Sequence, residues 1–78
     1  MTHKTRYRIL GIIKSYTSEH DRPPTIRDIA GAAGVSVSTV IHHLRHLESE
    51  GLIEITPFIS RGIRVTKKGD SKEVMPAN

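Results

Sequence analysis

The sequence contains no cysteine and no tryptophan, and its only aromatic residues are two tyrosines and one phenylalanine. Without cysteine, the chain has neither a disulfide bond nor a thiolate metal site. So few rings argue against a stacking platform for single-stranded nucleic acid. No apolar run is long enough to span a bilayer, and the N-terminus lacks a signal-peptide pattern. We therefore expect a soluble, cytoplasmic protein that does not associate with membranes.

The chain has 78 residues and a formal net charge of +4, with a sequence pI near 9.9. This length allows one domain with a small core. The charge is segregated along the chain. Residues 48–60 carry acidic but no basic side chains, whereas most of the charged side chains in residues 61–72 are basic. A small basic domain with segregated charge is typical of proteins that bind polyanions, although not diagnostic of them.

The stretch Thr25–Gly51 contains the strongest pattern, which begins with a short helix. Pro23 and Pro24 keep the preceding chain extended, and Thr25 is well placed as the N-cap. Asp28 lies in the first turn, where a carboxylate suits the helix dipole. Gly34 ends the helix because glycine accepts a positive φ at little cost. The inner face is predicted from apolar residues spaced at i, i+3, i+4 and i+7, namely Ile26, Ile29, Ala30 and Ala33.

A second helix follows after a linker of only a few residues. Ser36 can cap it, and Gly51 ends it. Val40, Leu44 and Leu47 form its inward stripe. Two helices joined by so short a glycine-containing turn predict a helix-turn-helix.

The outer face of the second helix predicts the function. It consists of residues that cannot all point inward, namely Val37, Ser38, Thr39, Ile41, His42, Arg45 and His46. These residues include no carboxylate, so the helix can enter a DNA groove without repulsion, and its first N–H groups can meet a phosphate. We predict that Ser36 to His46 read the major groove. The alternative is an ordinary solvent-exposed face of a helical hairpin.

An amphipathic helix precedes this unit, and a β-hairpin follows it. The first helix is predicted from a cap at Thr5 to about Glu19, with Ile9, Leu10, Ile13 and Tyr16 inward. Its basic residues Arg6, Arg8 and Lys14 are expected on a solvated face. Residues 52–56 and 63–66 alternate as two antiparallel strands, which must pack on the helices to be stable.

The hairpin forms a wing that carries basic residues. Ser60 and Arg61 lie in its loop, and Arg64 extends the same edge. Such a wing suits contact with the DNA backbone or minor groove, although a plain solubilising hairpin is the alternative. The predicted fold is α+β and mainly α, with a three-helix helix-turn-helix core and a C-terminal two-stranded β-hairpin wing. We assign residues 1–66 to this DNA-binding domain and residues 67–78 to a flexible tail or the start of a linker.

Histidines raise the question of a metal or catalytic site. His42 and His46 are four residues apart on one helix and could chelate a metal ion, but the motif is HHLRH rather than HExxH, and no third ligand lies nearby. His43 is expected to lean toward the core. The sequence has no P-loop and no nucleophile elbow. We predict no enzyme, no cofactor and no metal site.

The motifs resemble the N-terminal DNA-binding domain of the LexA family of SOS-response repressors. They are, in order, PPT, GVS, STV, LxxL, EGLI and SRGIRV, and the resemblance covers about Thr5 to Val65. The turn before Ser38 is one residue shorter than in typical members of the family.

The resemblance implies a winged helix-turn-helix that binds a palindromic operator as a homodimer and blocks transcription. It places Ser38, Thr39, Ile41 and His42 on the recognition helix, Thr25 and Arg27 against phosphates, and Ser60 and Arg61 at the wing tip. The family's C-terminal domain, with its Ser–Lys dyad and self-cleavage site, does not follow in this sequence, so no autoproteolysis is expected. This chain is then either an excised domain or a small protein regulated in another way.

The sequence thus predicts a transcriptional repressor that binds double-stranded DNA specifically, at an inverted repeat and as a homodimer on DNA. One alternative is a plasmid or phage regulator or replication accessory factor on the same fold. A second is a winged helix used for protein interaction, which would show no salt-dependent affinity for DNA. A third is a metal-binding helical domain using His42 and His46, which zinc would stabilise.

Overall fold

Four helices and one β-hairpin make up the computed structural model, which describes residues 3–72. The elements are α1 (His3–His20), α2 (Ile26–Ala33), α3 (Val37–Ser49), β1 (Ile53–Ile55), β2 (Ile63–Val65) and α4 (Lys67–Ser71). The predicted order of three helices and an antiparallel hairpin is confirmed. α1 begins before Thr5, which therefore lies inside the helix and is not its cap. Among the described residues, no helix is both long and apolar enough to cross a membrane.

Side-chain caps fix the start of both helices in the central pair. The Thr25 hydroxyl accepts a hydrogen bond from the Asp28 N–H (3.0 Å), and the Asp28 carboxylate accepts one from the Thr25 N–H (2.9 Å). This reciprocal capping box satisfies two N–H groups at the helix start. Gly34 ends α2 with a φ of 69°, and the Ser36 hydroxyl accepts from the Thr39 N–H at the start of α3. The predicted helix-turn-helix is confirmed.

The core lies where α1, α2 and α3 meet the hairpin. It contains apolar side chains from every one of these elements: Ile9, Leu10, Ile12, Ile13, Ile29, Ala33, Val40, Leu44, Leu47, Leu52, Ile53 and Ile63. Burying one such leucine or isoleucine contributes roughly 1.5–3 kcal/mol. Val35, in the turn between α2 and α3, is partly buried and packs against this cluster.

The hairpin is attached to the helices through one of its faces. Ile53 pairs with Val65, Glu54 with Arg64, and Ile55 with Ile63. Ile53 and Ile63 are buried, whereas Glu54 and Arg64 point to solvent. An isolated two-stranded hairpin is marginally stable in water, so this packing is what maintains the strands.

α4 occupies part of the segment predicted to be a flexible tail. The Thr66 hydroxyl caps it by accepting from the Gly69 N–H, at 3.1 Å. The Lys14 ammonium group of α1 donates to the carbonyl groups of Asp70 and Lys72, both at 3.0 Å. The Lys72 ammonium group lies 4.6 Å from the centre of the Tyr7 ring. The folded unit therefore extends to residue 72, and residues 73–78 of the predicted tail lie outside the described part.

The basic residues of α1 do not form the solvated face expected for them. Arg8 donates to the Ala33 carbonyl at 3.1 Å, which connects α1 to the end of α2. Arg6 lies 3.9 Å from Glu50, whose carboxylate also accepts from the Tyr7 hydroxyl at 2.8 Å. The same carboxylate raises the pKa of Tyr7, mainly through that hydrogen bond. These residues tie α1 to its neighbours, because their long side chains find acceptors far away in sequence.

Candidate nucleic-acid interface

The outer face of α3 is open over its whole length. Val37, Ser38, Ile41, His42, Arg45 and His46 are exposed, and Thr39 is half-buried. The buried side chains Val40, His43, Leu44 and Leu47 hold the opposite face against the core. The first carboxylate on the helix is Glu48, near its end. The structure therefore places the predicted reading residues together on one surface.

The start of α3 is organised by Ser36 and Thr39. The Ser36 hydroxyl donates to the Thr39 hydroxyl at 3.0 Å and accepts from the Thr39 N–H at 3.1 Å. The hydroxyl groups of both side chains are thus engaged in the helix cap, which reduces their freedom to contact a ligand. The first N–H groups of a helix lack intrahelical acceptors and carry partial positive charge, which favours an anion nearby.

Three histidines of α3 divide between its two faces. The rings of His42 and His46 have centres 4.8 Å apart on the outer face. His43 lies fully inside, as expected, and neither of its ring nitrogens has a hydrogen-bond partner among residues 3–72. Burial lowers the pKa of His43, and the nearby positive charge lowers it further. Within the same residues no group of three or more histidine, cysteine, aspartate or glutamate side chains could hold a metal ion.

Arg61 does not lie at the wing tip, where the family resemblance placed it. Its guanidinium turns inward, donates to the Pro23 carbonyl at 2.7 Å and to the Tyr16 hydroxyl at 3.5 Å, and lies 3.5 Å from the Asp28 carboxylate. It therefore fastens the hairpin to the start of α2. Its loop position gave no sign of this, because its partners are 33 to 45 residues earlier in the chain.

The other predicted wing residues remain on the surface. Ser60 is exposed and lines a groove between the hairpin and α3, together with Ile41, Arg45 and Ile59. Arg64 is exposed on the outer side of β2, 3.5 Å from Glu54 on β1. The centre of the loop presents Phe58 and Ile59, both exposed, which sequence reasoning did not single out. The sequence did contain a signal for this exposed pair, because two large apolar residues are adjacent in the loop between the two strands.

The start of α2 lies beside this surface and carries the remaining predicted residues. Arg27 is exposed, whereas Thr25 is half-buried and its hydroxyl is used in the capping box. The backbone N–H of Thr25 is the main cause of the lowered pKa of Asp28, and the nearby Arg61 adds to this effect. The carboxylate is thus held ionised within the cap and lies close to the Arg61 guanidinium.

A capped helix pair with a short turn, a preceding helix and a following hairpin define a winged helix-turn-helix protein. The family profile described as the LexA DNA binding domain matches residues 2–62. The chain therefore belongs to the LexA DNA-binding-domain family.

Several similar curated proteins are named LexA repressor. The protein of Carboxydothermus hydrogenoformans is 36% identical over 76 residues, which cover 96% of this chain and 37% of that relative. The protein of Ligilactobacillus salivarius is 41% identical over 69 residues, covering 87% of this chain and 34% of the relative. The protein of Roseiflexus sp. is 45% identical over 58 residues, which cover 73% of this chain and 27% of that relative. The chain thus spans about a third of the length of the relatives it matches.

Proposed function

We propose that this chain binds double-stranded DNA in a sequence-specific manner and serves as the DNA-reading part of a transcriptional repressor. The observation that carries the proposal is the open outer face of α3, which presents hydroxyl, imidazole, guanidinium and aliphatic groups and no carboxylate before Glu48. The chain's relatives are named repressors, which supports the same role.

In the proposed complex α3 lies in the major groove, where each base pair shows a distinct pattern of donors, acceptors and methyl groups. Ser38 and His42 supply hydrogen-bonding groups, and Val37 and Ile41 are apolar surfaces suited to a thymine methyl group. Arg45 and His46 lie nearer the end of the outer face, within reach of a phosphate or a base edge. Ser36 and Thr39 shape the helix start that approaches the backbone.

The flanking elements contact the DNA backbone in this arrangement. Arg27 and Thr25 lie at the start of α2, beside α3, and would face phosphates. Ser60 and Arg64 would approach the strand next to the wing. Arg61 contributes by holding the hairpin in place, because its guanidinium is already engaged with Pro23 and Asp28. Contacts to phosphate position the protein, while contacts to base edges select the sequence.

The domain is small enough for two copies to bind an inverted repeat side by side. Its principal extents are 26 × 26 × 25 Å. Half-sites one helical turn apart are separated by about 34 Å, so two copies can sit side by side on one face of the duplex. The symmetry of the DNA would then bring them together as a homodimer.

Selection from random duplex DNA, repeated at two salt concentrations, tests the proposal. We expect an enriched inverted repeat, whose half-site spacing reports the geometry of the two bound copies. Enrichment of a single half-site would retain DNA reading but contradict the paired arrangement. If the chain binds no duplex even at low salt, the proposal fails and a protein-interaction role takes its place.

A further inference from the structure

The hairpin ends in an apolar tip made of Phe58 and Ile59. Phe58 is fully exposed, and Ile59 is 59% exposed. Phe58 also has a φ of 67°, a left-handed conformation that an aromatic L-residue rarely adopts. A fully exposed ring on a strained backbone brings no benefit to the isolated chain. Its position therefore points to something outside the chain that the ring contacts.

The tip is continuous with the reading face of α3. Ile59 and Ser60 line one groove with Ile41 and Arg45. Among residues 3–72, the exposed large hydrophobic side chains are Val37, Ile41, Phe58 and Ile59, which all belong to α3 or to the hairpin loop. The exposed apolar surface thus follows the proposed DNA-facing side of the molecule.

The hairpin loop is suited to close approach to DNA. Residues 56–60 contain no charged side chain, so no carboxylate repels the phosphates. The base of the loop is closed by a hydrogen bond from the Thr56 N–H to the Gly62 carbonyl at 2.9 Å. Gly62 has no room for a side chain, because a Cβ atom there would lie 2.6 Å from the Thr56 carbonyl oxygen. Together with the contacts of Arg61, this gives the tip a fixed position.

We propose that Phe58 is a wedge that enters the minor groove beside the half-site, partly unstacks one base step and bends the duplex. This inference rests on the proposed function, since it requires α3 to occupy the neighbouring major groove. Apolar side chains that insert between base steps kink DNA in this way. Pyrimidine–purine steps such as TA and CA unstack most easily, so the wedge would select a flexible step at a position where it makes no hydrogen bond.

The experiment uses duplexes recovered by selection, with 2-aminopurine replacing adenine at successive steps beside the half-site. Binding of the wild-type chain should raise the fluorescence at one step, and gel mobility of permuted fragments should show a bend at the same place. Phe58→Ala should remove both signals and weaken binding about tenfold, as loss of a base–aromatic stack typically does. The salt dependence of binding should stay unchanged, because the phenyl ring neutralises no phosphate.

Matched variants separate the wedge from other roles. Phe58→Tyr keeps a flat ring and Phe58→Leu keeps an apolar wedge, so both should retain much of the fluorescence signal that Phe58→Ala removes. None of these variants should lower the melting temperature, since the ring is fully exposed. Specific binding by the wild-type chain without unstacking at any step, or unstacking that Phe58→Ala leaves intact, would overturn the wedge while leaving the proposed function in place. If the wild-type chain selects no duplex, the proposed function fails first.

Discussion

The Arg61 guanidinium on the hairpin lies 3.5 Å from the carboxylate of Asp28 at the start of α2. Asp28 belongs to the capping box with Thr25, so one ion pair connects the hairpin to the helix that precedes α3. Both side chains are about one-third exposed. The orientation of the wing relative to α3 thus depends on a contact between residues 33 positions apart in the sequence.

Arg61→Ala should destabilise the fold rather than remove a phosphate contact. The variant loses a charged donor to the Pro23 carbonyl and a partly screened ion pair, together about 1 kcal/mol. For a domain of this size the melting temperature should fall by roughly 4–8 °C. Arg64→Ala removes the same charge from the exposed side of β2 and should change the melting temperature little. Equal thermal stability of the two variants would contradict the anchoring role of Arg61.

Arg45→Ala should weaken binding to all duplexes and reduce its dependence on salt. Removing one phosphate-neutralising side chain reduces the magnitude of the slope of log K against log salt concentration by about 0.9. Titrations at several salt concentrations measure this slope. Arg22→Ala removes one positive charge from the exposed loop between α1 and α2 and serves as the control. An Arg45→Ala slope equal to that of wild type would show that Arg45 neutralises no phosphate.

His42→Ala should change which sequence is preferred. A side chain that reads a base edge contributes roughly 1–3 kcal/mol of discrimination at one base pair. Binding to selected duplexes with single base-pair changes should therefore show relaxed preference at one position of each half-site. His20→Ala, at the end of α1, is the control. Uniform loss of affinity on every duplex would mean that His42 reads no base.

Gly69→Ala should be strongly destabilising, which tests α4 as part of the folded unit. A Cβ atom at this position would overlap the Leu52 carbonyl oxygen and lie 2.9 Å from Cγ1 of Val65. Overpacking of this kind costs about 1–3 kcal/mol or more. Gly31→Ala on α2 has open space around it and should instead stabilise by roughly 0.5–1 kcal/mol. Urea unfolding of both variants gives the comparison, and a neutral Gly69→Ala would indicate that α4 is detached in solution.

The buried His43 should make the fold less stable in mild acid. Burial holds the pKa of its imidazole below the ordinary value, so the unfolded chain takes up a proton first as the pH falls. The free energy of unfolding contributed by His43 is thus fully present above the unfolded pKa and is lost below it, by at most about 1.4 kcal/mol per pH unit. His43→Leu should flatten the pH dependence of unfolding between about pH 7 and 5, the range in which an imidazole titrates. An unchanged profile would show that His43 does not titrate differently on folding.

The sequence by itself determined the local elements of the site. The caps at Thr25 and Ser36 and the positive φ at Gly34 were predicted because a cap involves residues three or four positions apart. The inward stripe of α3 was predicted from the helical period of its apolar residues, and the remaining positions were assigned to the outer face. The two strands were predicted from their alternation, since one face of each had to be buried.

Only the tertiary structure decided where the long side chains go. Arg8, Lys14 and Arg61 donate to acceptors between 25 and 58 residues away, and the pattern of charges along the chain holds no information about such pairs. The same is true of α4, which has too few residues to form a stable helix alone and depends on Lys14 and on its packing against Leu52. The exposure of Phe58 was also decided at this level, because the core is filled by side chains from all three long helices and both strands.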